Sequence, residues 1–194
     1  MAEVLLFHHA QGLTPGVRAF ADRLRSNGHV VHLPDLYEGR VFDDLDAGVA
    51  HARRVGFDVL LERGRAVAQG LPAELVHAGF SLGVLPAQAL AQTRPGTRGA
   101  LLIDACFPTS ELGDGWPAGV PVQVHGMDAD PFFAEEGGDL DAARALVAQA
   151  PDDAELFVYP GGQHLFADSS LPGHDPQAAA LLTDRVLAFL ARLG

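Results

Sequence analysis

The chain has 194 residues, of which 48% are apolar and 20% charged: enough apolarity to fill one core, and too much for a disordered polymer. Its 25 acidic and 13 basic residues leave a formal charge of −12, a field that repels phosphate backbones and anionic membranes. Nucleic acid and membrane surfaces are therefore set aside as partners, and a small molecule is expected instead. Cys106 is the only cysteine, so no intrachain disulfide can form, and a reducing compartment fits. The opening MAEVLLFHHAQG has no basic flank and too short an apolar run for a signal peptide, which makes the cytoplasm the expected location.

In chain order, Val4–Phe7 reads as a strand buried on both faces. Residues 15–27 follow with Val17, Phe20, Ala21 and Leu24 on one helical face, Pro15 in the first turn and Gly28 as a stop. His29–Leu33 is the next strand. Residues 44–69 are helical in pattern, but Gly48, Gly56 and Gly64 predict one or two breaks. Then come a strand at Glu74–Ala78, a small-residue helix at Ser81–Gln92, and strands at Gly99–Asp104 and Val120–His125. A helix at Asp139–Gln149, a strand at Leu156–Tyr159 and a closing helix at Gln177–Leu193 complete the pattern. About six strands alternating with helices predict an α/β fold, a mostly parallel twisted sheet covered on both faces. No repeat or linker interrupts it, so residues 1–194 are expected to form a single domain without a large lid. Residues 34–43 and 105–119 are irregular and follow strands, which puts them at the sheet edge where ligands bind in open α/β sheets.

The strongest chemical signal is Gly79-Phe80-Ser81-Leu82-Gly83, after an apolar strand and at the start of a helix. This is the setting of the G-x-S-x-G elbow, where a strained turn exposes a serine Oγ and small residues two before and two after allow close packing. Ser81 is therefore the candidate nucleophile. In this fold an acid and then a histidine follow the serine in the chain. His164, in Pro160-Gly161-Gly162-Gln163-His164 after the last strand, is the candidate base. His125 ends a strand where it would be partly buried, and His174 reads as a surface or capping residue. The acid is Asp130 or Asp128; Pro131 fixes the backbone beside Asp130 and favours it. The N–H groups of Leu82 and of Ala10, or Gln11 in place of Ala10, are the candidate oxyanion hole. His8 and His9 read as strand-end polar residues or pocket neighbours. No zinc-type ligand spacing occurs, and neither a metal nor any other cofactor is expected. Cys106 reads as a small packed hydrophobe. Among aromatics on the site loops, Tyr37, Phe80, Phe107, Trp116, Phe132, Phe133 and Phe166 are candidates to line a pocket, two or three of them touching ligand.

Together the segments VLLFHHAQGL, HVVHLPDLYEG, HAGFSLGVLPAQ, VHGMDADPFF and LFVYPGGQHLFADSS resemble the dienelactone hydrolase family of α/β-hydrolases, over nearly the whole chain. The resemblance implies a small, lidless fold derived from eight strands, with catalytic residues on loops, and the Asp130-Pro-Phe-Phe133 run supports Asp130 as the acid. It also marks three departures. Ser81 stands where the founding enzymes carry a cysteine, His9 where they carry a glutamate that restrains the resting thiol, and Asp168 where an arginine holds the substrate carboxylate. A neutral ester, lactone or thioester is thus expected in place of an anionic dienelactone, cleaved through an acyl-enzyme. The competing readings are a non-catalytic binding or regulatory protein on the same scaffold and an acyltransferase or thioesterase using the same residues.

Overall fold

The computed structural model describes residues 1–194. Six strands form one sheet: β1 (Glu3–Phe7), β2 (Val30–His32), β3 (Val76–Phe80), β4 (Gly99–Ile103), β5 (Val122–Met127) and β6 (Ala154–Tyr159). Their order is β2-β1-β3-β4-β5-β6, and every pairing is parallel. Seven helices connect and cover them: α1 (Pro15–Ser26), α2 (Leu45–Val55), α3 (Phe57–Gln69), α4 (Val84–Thr93), α5 (Thr109–Leu112), α6 (Asp139–Gln149) and α7 (Pro176–Leu193).

The continuous apolar strands behave as a sheet buried on both sides requires. Val4 and Leu6 of β1 join a core with Val17, Phe20 and Leu24 of α1 and Leu182, Val186 and Phe189 of α7. Leu5 and Phe7 point the other way, into a core with Ala52, Leu60, Ala68 and Leu90 from α2, α3 and α4. Farther along that second face, Leu102, Val122 and Val124 pack with Leu140, Ala143 and Leu146 of α6. The helix starts are capped as their sequences dictate: Thr14, Asp44 and Asp175 each accept a backbone N–H of the first turn of α1, α2 and α7.

The fold is the one expected, with six strands where the resemblance implied descent from eight. The 44–69 segment is broken once, at Gly56, within the one or two breaks expected. Among the strands, β6 begins at Ala154, two residues before the expected Leu156. Strands β3 and β5 lie two residues later than the glycines in their sequences predict. Both glycines mark close approach, as the elbow pattern already required of Gly79: a Cβ on Gly79 would lie 2.2 Å from the Gly83 carbonyl oxygen, and one on Gly126 would lie 2.3 Å from the Phe133 ring. Short helix α5 sits inside the stretch expected to be irregular; four residues are too few to show a helical period. No helix is long and apolar enough to cross a membrane.

The register sets the site. Phe7 is level with Gly79, Phe80 with Ile103, and Ile103 with His125, so the carboxyl ends of the four central strands share one rim. The chain winds outward from β1 to β2 in one direction and from β3 to β6 in the other. The crevice between β1 and β3 is thus a topological switch point, where open α/β sheets bind ligands.

Candidate active site

Ser81 occupies the first position after β3 with φ of +47°, a left-handed conformation that a non-glycine residue holds at a cost of about 1–3 kcal/mol. The turn closes because Gly79 and Gly83 lie against each other and because Gly83 nestles on the end of β1, where a Cβ would meet the Phe7 carbonyl oxygen at 2.5 Å. A single 3₁₀ turn, Ser81–Gly83, leads into α4. The early N–H groups of such a turn have no partner behind them and face the rim.

The Ser81 hydroxyl donates to His164 Nε2 at 2.9 Å, and His164 Nδ1–H donates to Asp130 Oδ2 at 2.7 Å. The two residues most distant among these, 83 apart in sequence for Ser81 and His164, are thus brought into one hydrogen-bonded line. Asp130 is fully buried, and its other oxygen accepts the Phe132 N–H at 2.9 Å, which pins the carboxylate. Asp128 does something else: it is exposed and accepts the Gly161 N–H at 3.0 Å, a turn-stabilising contact. Burial disfavours charge on His164, but the Asp130 hydrogen bond and the charges of Asp104, Asp130 and Asp139 outweigh it and hold its pKa above the usual histidine value.

Ser81 and His164 open onto a cleft of about 450 Å³ whose walls include Ala10, Leu82, Phe107 and Phe132. The Phe132 ring lies 4.8 Å from the His164 ring. Ala10 and Leu82, both expected at an oxyanion hole, therefore line the same space as the serine. Gln11 does not compete with Ala10, since its N–H is spent on His9 Nδ1 at 3.2 Å and its side chain reaches the Phe42 carbonyl.

Several expected pocket residues lie elsewhere. Tyr37 is buried among Leu36, Ala52 and Leu60, with its ring edge-on to His8 and His51, and Phe166 is buried in the core beside α7. Phe80 belongs to that same core, while Phe133 and Trp116 pack toward α6. Of the seven candidate aromatics only Phe107 and Phe132 line the cleft, and no local pattern distinguishes them from the five that point inward. His125 is fully buried and bonds Tyr159 Oη and Gln123, with burial lowering its pKa to about 3. His174 braces the Phe166 carbonyl. The Cys106 thiol is fully buried, and burial pushes its pKa up to about 12, which disfavours the thiolate.

His8 and His9 have definite work. His8 Nδ1–H donates to the His9 carbonyl and His8 Nε2 accepts the Leu36 N–H; burial lowers its pKa to about 4, so it stays neutral. His9 accepts the Gln11 N–H through Nδ1 and donates through Nε2 to Asp168 at 2.8 Å. Asp168 also accepts from Thr14 and Ser170. Although burial pushes its carboxyl up, these hydrogen bonds prevail and hold it at about 2. Asp168 is thus not a repulsive wall of the pocket, as its place in the sequence implied; it clasps the loop carrying Ala10 to the loop carrying His164.

The cleft contains residues that sequence reasoning did not single out: Asp104, Asp139, Leu45, Val49, Phe57 and Leu85. Asp104 ends the β4 run and reads from sequence as an ordinary strand terminus. The exposed Phe57 directly after the Gly56 break was the one legible hint for the α2–α3 wall.

The parallel sheet, the strained serine turn after its third strand, and a histidine after its last define the α/β-hydrolase fold. Comparison with known proteins narrows this. The profile of the dienelactone hydrolase family matches residues 1–194, and the chain belongs to that family, a family of hydrolases. It is 27% identical over 191 residues to the carboxymethylenebutenolidase of Rhodococcus opacus, covering 91% of this chain and 75% of that protein. Among solved structures, a dienelactone hydrolase-like promiscuous phosphotriesterase from metagenomic libraries superposes with a TM-score of 0.76 at 18% identity, covering 100% of this chain and 87% of the other. Thermogutta terrifontis esterase 2, phosphonylated by cyclosarin, gives 0.69 at 18% identity, covering 100% and 83%. At such identities the two structures speak to the fold.

Proposed function

We propose that the chain is one catalytic domain that hydrolyses a carboxylic ester, lactone or thioester, with Ser81 as nucleophile, His164 as base and Asp130 as the acid that orients it. The observation that carries this reading is the 2.9 Å Ser81–His164 and 2.7 Å His164–Asp130 hydrogen bonds, made on the wall of a mostly apolar cleft. His164 Nε2 takes the hydroxyl proton as Ser81 Oγ attacks the substrate carbonyl. The oxyanion that forms is met by the Leu82 and Ala10 N–H groups. Collapse of the tetrahedral intermediate breaks the bond to the leaving oxygen or sulfur, which receives the proton from His164, and an acyl-Ser81 ester remains. Water, deprotonated by His164, then releases the carboxylic acid and restores the serine. Asp130 stays ionised and holds Nδ1–H, which leaves Nε2 free to accept.

A fluorophosphonate probe tests the assignment. It should form a covalent adduct whose mass maps to the peptide containing Ser81. No adduct, or one on another residue, would refute Ser81 as nucleophile. The esterase from Thermogutta terrifontis is itself phosphonylated by an organophosphorus agent, which favours this chemistry as the probe.

The charges around His164 give a second expectation. The base works only as neutral imidazole, so kcat/KM should rise with pH along a limb whose midpoint lies above 6.5, the ordinary histidine value. Asp104→Asn removes one of the charges that favour the imidazolium and should move that midpoint down. A pH–rate profile with the midpoint at or below 6.5 in the unaltered enzyme would contradict this electrostatic account.

A further inference from the structure

Asp104 is the one carboxylate in this protein that the site leaves unanswered. It sits at the end of β4 with φ of +60°, is fully buried, and lines the cleft with Ser81 and His164. Neither of its oxygens has a hydrogen bond of good geometry within the protein, although the Leu165 N–H is close enough to act on it. A buried carboxylate in that state is costly unless something positive meets it. Burial raises its pKa to about 7, with His164 and the Leu165 amide drawing it back and Asp130 adding to the rise. Asp139, half-buried at the first position of α6, lines the same cleft, and burial raises it to about 6.

No fixed positive charge faces these two acids. The chain contains no lysine, and none of its 13 basic residues, all arginine, lines the cleft. Apart from Ser81 and His164, the rest of the lining is apolar and includes the rings of Phe57, Phe107 and Phe132. An alkylammonium group suits such walls: its methyl groups are at home against aromatic faces, and its charge answers the carboxylates. The net charge of −12 draws cations toward the protein as well.

The side of the cleft is also given. Both acids share the cleft with His164, the group that returns a proton to the leaving oxygen. The Phe132 ring lies 4.8 Å from the His164 ring, which puts that aromatic wall beside the leaving group. Resting on the hydrolase reading above, we propose that the cleft selects esters whose alcohol portion carries an alkylammonium group, with Asp104 and Asp139 as its counter-groups and the Phe107 and Phe132 rings beside them.

A matched pair of substrates tests this: 2-(trimethylammonio)ethyl butanoate and its carbon isostere, 3,3-dimethylbutyl butanoate. After each rate is divided by the ester's own hydroxide-catalysed rate, kcat/KM for the ammonium ester should exceed that of the isostere by about tenfold or more, the scale of one cation–aromatic and ion-pair contact. Asp104→Asn and Asp139→Asn should each lower that ratio; the half-buried Asp139 supplies the second variant if Asp104→Asn fails to fold. A ratio near or below one, or one that neither substitution moves, overturns the proposal. Calorimetric binding of choline against 3,3-dimethylbutan-1-ol decides the recognition independently of turnover. Choline should bind about tenfold tighter or better, and equal or weaker binding overturns the proposal. If Ser81 takes no fluorophosphonate and neither ester is cleaved, the hydrolase reading fails, and the choline measurement still decides whether the cleft recognises cations. If the isostere is cleaved and Ser81 is labelled but the ratio is flat, the cation inference alone fails.

Discussion

Ser81→Ala should lower kcat for p-nitrophenyl butanoate by about four to six orders of magnitude, the scale seen when a serine nucleophile working with a histidine is removed. The substitution deletes one oxygen and leaves the rest of the turn intact. Alanine inherits the same left-handed backbone at position 81 and pays the same strain, so thermal stability should change little. The Leu82 and Ala10 N–H groups remain, and they account for the residual rate. Ser110→Ala, at an exposed position on α5, is the matched control and should retain full activity. Steady-state rates on purified variants, with melting temperatures alongside, check the expectation. Full activity in Ser81→Ala would remove the elbow from the mechanism.

Asp130→Asn should cost about three to four orders of magnitude in kcat, although it changes neither the size nor the backbone of the residue. The reason lies in hydrogen-bond polarity. Asp130 accepts twice, from the Phe132 N–H and from His164 Nδ1–H. Asparagine can keep the first bond with its carbonyl oxygen, but then its NH₂ group faces Nδ1. The imidazole must respond by moving its proton to Nε2, where it can no longer accept the hydroxyl proton of Ser81. Asp128→Asn keeps its single acceptor for the Gly161 N–H and should change kcat by less than about threefold, as surface substitutions away from a site do. The reverse pattern, with Asp128→Asn crippled and Asp130→Asn active, would exchange the two assignments.

Much of this architecture could be read from residues alone, and the reasons differ by feature. The sheet was legible because buried parallel strands write themselves as unbroken apolar runs, such as Val4–Phe7 and Gly99–Ile103. The elbow was legible because its glycines are demanded by a contact only four residues apart, between Gly79 and Gly83. His164 followed from chain order and a glycine-bearing loop, and Asp130 from Pro131 together with the family resemblance. What escaped was set by distance. His9 and Asp168 are 159 residues apart, and no local pattern announces that they bond. Asp104 looked like any polar residue closing a strand, because the absence of a partner is a property of the assembled surroundings. Tyr37 and Phe166 looked like pocket aromatics because the direction of a loop side chain is decided by what the loop packs on. The misplaced end of β5 has this origin too: Gly126 was read as lying just past the strand, whereas it accommodates the Phe133 ring brought in from later in the chain.

The clasp between His9 and Asp168 bears on how the protein comes into being. During synthesis the nascent chain presents the Ala10 loop first and the elbow soon after, but the tie that steadies that loop awaits residue 168, and the partner of Ser81 awaits residue 164. A chain halted before the last strand would therefore lack both contacts, and the pairing of Ser81 with His164 is a late event of synthesis.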